Sequence, residues 1–261
     1  MKLHICAHSH IGNSASVNED QVFCNGFYRT DLEKGEFQYE GDIDIESLSV
    51  FAVFDGMGGM QQGEEASLRC AQLAKEYLDH TKEQQMYFDA VLLIEQMNEA
   101  LQKTASSSEM GSTAVFAILK NRMLRVVNIG DSRAYLRRNH DLKQLSVDHT
   151  VEESNRRMAE ELGVELQENA LHKHALTQYV GVPETEFMIE PYVAKPLEIS
   201  VGDALLLCSD GLTDKLEKST ILDILEKKIP LKRKVEDLLA ETLLSPATDN
   251  ISIILIEAAI S

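Results

Sequence analysis

The chain has 261 residues, 44% of them hydrophobic and 26% charged, which excludes a disordered polymer and is enough to bury a sizeable core. Its formal net charge of −18 argues against general binding to nucleic acid or to anionic membranes, because both polyanions repel it. Four scattered cysteines (Cys6, Cys24, Cys70, Cys208) predict reduced thiols rather than a disulfide frame or a zinc site. No apolar run reaches the ~18–20 residues of a membrane span, and the N-terminus MKLHICAHSH lacks a signal-peptide core, so a cytoplasmic protein is expected.

In chain order, Leu48–Phe54 is a short apolar run ending at Asp55-Gly56 and reads as a buried strand. Ala66, Cys70, Leu73 and Tyr77 recur at helical spacing and predict a helix over Gln62–His80. A second helix is expected over Met86–Ala105, with Val91, Ile94, Met97 and Leu101 on one stripe. Ser112–Leu119, Leu124–Ile129 and Ala134–Arg138 follow at spacings that permit only hairpins, so they form an antiparallel meander. Ser112–Leu119 is apolar at odd and even positions alike, so both of its faces should be covered. Thr150-Val151-Glu152-Glu153 has capping-box spacing and starts a mostly polar helix running to Leu162. Asp203–Cys208 is another strand, Lys218–Lys228 and Leu231–Leu244 are helical, and Ile251–Ile256 is a last strand. Strands and helices come in blocks, which gives an α+β fold with antiparallel sheets. No Pro/Gly/Ser-rich linker divides the chain, so a single domain over residues 1–261 is expected.

Acids recur where apolar strands end or turn: Glu19-Asp20, Asp55-Gly56, Gly130-Asp131, Asp210-Gly211 and Asp249-Asn250. One Asp-Gly pair is only a common turn. Several such acids gathered at one sheet edge would suit Mg²⁺ or Mn²⁺, which prefer carboxylate, carbonyl and water oxygens. A glycine after the acid lets the backbone carbonyl come close enough to serve as a ligand.

The motifs, taken together and in order, resemble those of the metal-dependent protein phosphatases of the PPM (PP2C-like) family in their short bacterial form. They are Asn18-Glu19-Asp20, Phe54-Asp55-Gly56-Met57-Gly58-Gly59, Gly63-Glu64-Glu65-Ala66-Ser67, Gly111-Ser112-Thr113-Ala114, Asn128-Ile129-Gly130-Asp131-Ser132-Arg133, Asp148-His149-Thr150, Leu176-Thr177-Gln178, Ser209-Asp210-Gly211-Leu212-Thr213-Asp214 and Asp249-Asn250-Ile251-Ser252. The resemblance covers nearly the whole chain, from about Lys2 to Ile256. The resemblance implies a four-layer αββα sandwich, in which two packed antiparallel sheets are flanked by helices, with a flap at about 150–186. It implies two Mn²⁺ or Mg²⁺ ions where the sheets meet. Asp55 would bridge both ions, Asp210 and Asp249 would hold the first, and Glu19 and the Gly56 carbonyl would serve the second, with Asp20 in support. Asp131 would hold a third, weaker ion and share Asp210 with it. Asp55 and Asp210 would thus be catalytic, around a metal-bridged water that attacks phosphorus in line. The implied substrates are phosphoserine and phosphothreonine of proteins, the implied partners a Ser/Thr kinase and its substrates, and the expected state a monomer.

Family members usually carry a phosphate-clamping arginine four residues before the Glu of Asn-Glu-Asp; here that position is Ala15, between Ser14 and Ser16. His8 and His10 are candidates for its role, and Met57 stands where animal members have a histidine. The flap carries Arg156-Arg157 and His172-Lys173-His174, while Lys227-Lys228 with Lys232-Arg233-Lys234 is the densest basic cluster and reads as a solvated patch. Two alternatives stay open: a phosphoprotein-binding module with little or no turnover, and a phosphatase of a small phosphorylated metabolite.

Overall fold

The structure is a computed structural model, and it describes all residues except 34, 59–61, 105–109, 165–173, 184–186, 247 and 261. In chain order its strands are β1 (Lys2–His10), β2 (Asp20–Cys24), β3 (Phe37–Asp44), β4 (Ser49–Met57), β5 (Gly111–Ser112), β6 (Ala114–Lys120) and β7 (Met123–Ile129). They continue as β8 (Arg133–Arg138), β9 (Asp141–Gln144), β10 (Tyr192–Val193), β11 (Leu197–Glu198), β12 (Ala204–Cys208) and β13 (Ile251–Ala259). The helices are α1 (Gln62–Glu83), α2 (Ala90–Thr104), α3 (Val151–Leu162), α4 (Asp210–Thr213), α5 (Lys218–Glu226) and α6 (Leu231–Leu243).

Two antiparallel sheets pack face to face, with strand orders β3-β1-β13-β12-β8-β9 and β10-β7-β6-β4-β2. Leu3, Ile5, Phe51, Val53, Val115, Leu205 and Ile254 fill the space between them. On the outer face of the second sheet, Val50, Ala52 and Phe54 pack against Ala66, Cys70, Leu93 and Met97 of α1 and α2. On the outer face of the first, Ile251, Ile253 and Leu206 pack against Ile221, Val235 and Leu238 of α5 and α6. The four layers expected from the sequence are therefore present. Strands β4, β6, β12 and β13 are buried on both sides, which explains their continuous apolar runs.

Two local readings are corrected. The strand expected over Ser112–Leu119 is interrupted at Thr113, because the Asp55 amide donates to the Thr113 hydroxyl (3.1 Å) instead of to its carbonyl. The second helix starts at Ala90, not Met86, because the Asp89 carboxylate accepts the Val91 and Leu92 amides at 3.0 and 3.2 Å and so caps it. Strands β1 and β3 lie outside the elements read from the sequence; β3 has an acidic, glycine-containing sequence and owes its extension to pairing with β1. Half of the predicted capping box forms: Thr150 Oγ1 accepts the Glu153 amide at 3.2 Å, while the Glu153 carboxylate is taken by Arg156 and Arg157. Helix α3 ends at Gly163 in the left-handed region.

Candidate metal centre

Antiparallel pairing brings the candidate acids to one edge. In the second sheet, Asp20 at the start of β2 lies opposite Asp55 near the end of β4. In the first sheet, the end of β1 lies beside the start of β13 (His10 opposite Ile251), and the end of β12 beside the starts of β13 and β8 (Cys208 opposite Ile253 and Arg133). Asp249 immediately precedes β13, Asp210 follows β12, and Asp131 lies in the turn between β7 and β8. A cleft of about 780 Å³, lined by Ser49, Lys82 and Lys120, lies at the opposite end of β4 and includes none of these acids.

Asp55 is fixed by its backbone. Thr113 receives its amide, the Thr113 amide donates to its carbonyl at 2.8 Å, and the Ser112 hydroxyl donates to that carbonyl at 3.1 Å. Its carboxyl is in hydrogen-bond contact with that of Asp210. Burial, then the charges of Asp20, Asp210, Asp131 and Asp249, hold Asp55 well above the usual carboxylate range. Burial, then Asp214 and Asp249, push Asp210 up to about 6. Burial, then Asp210 and Asp148, push Asp131 up to about 7. Adjacent carboxyls of this kind can share one proton, because both cannot ionise cheaply side by side.

Asp20 is also pushed up to about 7, chiefly by burial, but its Oδ2 is engaged. Ser209 Oγ donates to Asp20 Oδ2 at 2.7 Å and accepts the Ser252 amide at 3.0 Å. Ser252 in turn contacts Ser9 Oγ at 3.0 Å, and Asn18 Nδ2 donates to Ser9 Oγ at 2.9 Å. These serines come from β1, β13 and the end of β12, so a buried polar network ties the two sheets together behind the acids.

Glu19 meets Gly56 at a close backbone crossing. A Cβ on Gly63 would lie 2.7 Å from both Glu19 Oε1 and the Gly56 carbonyl oxygen, so those two oxygens converge on the start of α1. A Cβ on Gly56 would lie 1.9 Å from the Gly63 carbonyl oxygen, so neither glycine can be replaced without moving the backbone. Burial, then Asp249 and Glu64, raise the Glu19 carboxyl, while the Gly63 amide bonds it and works in the other direction. Asn250 joins this part to β13: its Oδ1 accepts the Glu19 amide at 2.7 Å, and its Nδ2 donates to the carbonyls of Ile11 and Val17. Asp249 Oδ1 accepts the Asn250 amide at 2.7 Å.

Among the described residues, no group of three or more His, Cys, Asp or Glu side chains is already closed into a metal-holding cage. The donor set nonetheless fits hard divalent cations. It consists of carboxylates and a backbone carbonyl, and its acids raise one another's proton affinity, so a cation has protons to displace and charge to neutralise.

The protein phosphatase 2C family profile matches residues 21–251. The chain is 33% identical over 223 residues to the serine/threonine phosphatase Stp of Listeria monocytogenes serotype 4b, covering 80% of this chain and 84% of that one. The chain belongs to the protein phosphatase 2C family. The solved structure of the serine/threonine phosphatase PstP/Ppp of Mycobacterium tuberculosis superposes with a TM-score of 0.77 at 25% identity, covering 100% of both chains. The catalytic domain of PstP in complex with two manganese ions superposes with a TM-score of 0.73, also at 25% identity and over 100% of both chains.

For a protein phosphatase 2C member, the Ala15 loop is the departure that matters. Residues 11–17 are pinned to the turn before β13: the Asn13 amide donates to Thr248 Oγ1 (3.0 Å), the Thr248 amide to Asn13 Oδ1 (2.7 Å), and Ser14 Oγ to the Thr248 carbonyl (2.6 Å). None of these side chains is basic. His8 and His10 do not fill the role proposed for them. They point to the face of β1 opposite Ser9, where their Nε2 atoms lie 3.7 and 3.3 Å from the Glu36 carboxylate. Arg133 is forked onto Asp148 at 2.8 and 2.6 Å. Arg156 is held by Glu153 and Glu160 of its own helix, and Arg157 by Glu153, so the flap arginines are compensated locally. The Lys227–Lys234 cluster is likewise paired: Lys227 with Asp237, Lys232 with Glu40 and buried Lys234 with Glu257. The flap base is stitched to the site by Thr177 N–H to the His149 carbonyl (2.8 Å) and by Val180 paired with Ser112. Gly59, His172 and Lys173 lie outside the described residues. Thr113, Ser209, Asn250 and Ser252 fall within the sequence motifs, but their supporting roles are visible only in the structure; Ser9 and Arg29 fall in no motif, and the buried side chain of Arg29 reaches Asn18, Asp20 and Glu64.

Proposed function

We propose that this chain hydrolyses phosphoserine and phosphothreonine in proteins, using water activated by two Mn²⁺ or Mg²⁺ ions. The observation that carries this reading is the convergence of acids at one sheet edge: Asp20 and Asp55 form a register pair across β2 and β4, and Asp131, Asp210 and Asp249 stand at neighbouring strand ends close enough to act on Asp55. The Listeria relative is named a serine/threonine phosphatase, and PstP has been solved with two manganese ions, which supports the same chemistry here. Asp55 would bridge the ions, Asp210 and Asp249 would hold one, and Glu19 with the Gly56 carbonyl the other. Asp131, with Asp210, would hold a third. When bound, the cations supply Lewis-acid activation of water and local positive charge.

The chain's own residues do the rest. Asp55 and Asp210 must be deprotonated to hold the cations, and Thr113 and Ser112 hold the Asp55 main chain in place. Asn250 and the Gly63 amide orient Glu19. The protein is acidic overall, so a phosphate dianion is attracted only where that charge is offset. With Ala15 in place of an arginine, the attraction rests on the cations. A Ser/Thr kinase and its substrates are the partners this activity calls for, with a cytoplasmic monomer as the working form.

A second reading, a phosphoprotein-binding module with little turnover, is favoured by Ala15 and opposed by the retained acids. Purified chain with Mn²⁺ should hydrolyse both p-nitrophenyl phosphate and a phosphothreonine peptide, and EDTA should abolish both rates. Inactivity on both with retained binding of the peptide would overturn the phosphatase reading in favour of the binding module.

A further inference from the structure

We propose that Arg29 is a positioning residue for the half of the centre built from Glu19 and the Gly56 carbonyl, acting through the Asn18–Asp20 main chain and Glu64; the proposal rests on the functional reading above. Arg29 lies in the connection after β2 and is 3% exposed. Its own main chain is clamped on both sides by one residue: its amide donates to Gln21 Oε1 at 3.2 Å, and its carbonyl accepts Gln21 Nε2 at 3.0 Å. From that anchor the guanidinium reaches back. Nη2 donates to the carbonyls of Asn18 (2.5 Å) and Asp20 (3.2 Å), the residues on either side of Glu19. Nη1 donates to Glu64 Oε1 at 3.4 Å.

Glu64 stands in the first turn of α1, next to Gly63. Gly63 is the point on which Glu19 Oε1 and the Gly56 carbonyl converge, and its amide bonds the Glu19 carboxylate. Gly56 lies near the end of β4, and its amide donates to the Glu19 carbonyl at 3.2 Å, so these two are already tied through the sheet. The gap between the start of β2 and the start of α1 governs instead whether the Gly63 amide stays on the Glu19 carboxylate. The Arg29–Glu64 ion pair spans that gap, with side chains only 2% and 12% exposed. A planar fork with several fixed donors suits this task; a lysine keeps the charge but offers a point in place of the fork. The Asp210 and Asp249 ligands are held from β12 and β13 and from Asn250. Loss of the bridge should therefore weaken one metal position and spare the other, an asymmetry that a general loss of stability would not produce.

The test is a calorimetric titration of Mn²⁺ into the full chain without substrate, for wild type, Arg29→Lys and Glu64→Ala. Wild type should bind two ions at the Asp55 pair, with a third, weaker one at Asp131 and Asp210. In Arg29→Lys one of the two should bind about 10–100-fold more weakly with the other unchanged. Half-maximal activity should then require correspondingly more Mn²⁺, with kcat at saturating Mn²⁺ near wild type. Glu64→Ala breaks the bridge at its far end and should weaken the same ion, so it carries the test if Arg29→Lys does not fold. A wild-type isotherm in a folded variant, equal weakening of both ions, or loss of fold in both variants would overturn the proposal. Failure of wild type itself to bind Mn²⁺ would instead remove the functional reading beneath it.

Discussion

Asp20 and Asp55 face each other across β2 and β4 as one register pair, yet their surroundings give them different roles. Asp20 Oδ2 accepts the Ser209 hydroxyl within a buried network that includes Ser252, Ser9 and Asn18. The Asp55 carboxyl instead contacts another carboxyl and stands among four acids. A buried carboxylate that accepts hydrogen bonds is a satisfied part of the fold. One that meets mainly like charge is destabilising until a cation arrives. Burial alone does not separate the two; the chemistry of the neighbours does.

The contrast is broken most directly by a matched pair of substitutions. Asp55→Asn should lower kcat by about 10²–10³-fold, because it removes charge placed in advance at the reacting centre. It should also raise the melting temperature of the metal-free protein, because one member of the crowded acid group is gone. Asp20→Asn should act more weakly, with Mn²⁺ affinity reduced about 10–100-fold and kcat at saturating Mn²⁺ near wild type. Equal kinetic losses in the two variants would show that the acids are not divided in this way. Asp210→Asn should resemble Asp55→Asn.

The central strands were readable because burial on both faces turns them into unbroken apolar runs, as in Leu48–Phe54 and Ile251–Ile256. The acids were readable because each follows or precedes such a run. The supporting groups were not. Ser209 and Ser252 lie in the motifs and Ser9 in none, but only the pairing of β1, β13 and β12 makes the three neighbours and reveals their role. Arg29 carries no spacing signal, since its partners are main-chain carbonyls and a helix residue brought close by folding. Strand β1 alternates in the expected way, with Leu3, Ile5 and Ala7 inward, but its histidines obscured the pattern.

Two further measurements sharpen the contrast. Ala15→Arg should restore a charged donor for phosphate and lower KM about 10-fold with little change in kcat; an unchanged KM would mean that another group already holds the phosphate. A smaller effect concerns pH. Asp20 and Asp131, raised to about 7, and Asp210, raised to about 6, bind more protons in the folded than in the unfolded metal-free chain. Stability of the metal-free protein should therefore rise as pH falls from about 8 to about 6.5. Saturating Mn²⁺ should flatten or reverse that slope, because metal ligands must be deprotonated. Below about pH 6.5 the trend is opposed by His8 and His149, which burial holds below the usual histidine value. Melting temperatures across this range, with Mn²⁺ and with EDTA, would show it; an identical slope in both would contradict the assignment of these acids to metal.

The central claim is that Asp55 joins two cations at this edge, and electron paramagnetic resonance of the Mn²⁺-loaded chain tests it most directly. Wild type should give the signal of an exchange-coupled manganese pair, as expected for ions about 3.5–4 Å apart, and Asp55→Asn should lose it. Isolated-ion spectra in wild type, or an unchanged coupled signal in Asp55→Asn, would contradict the account.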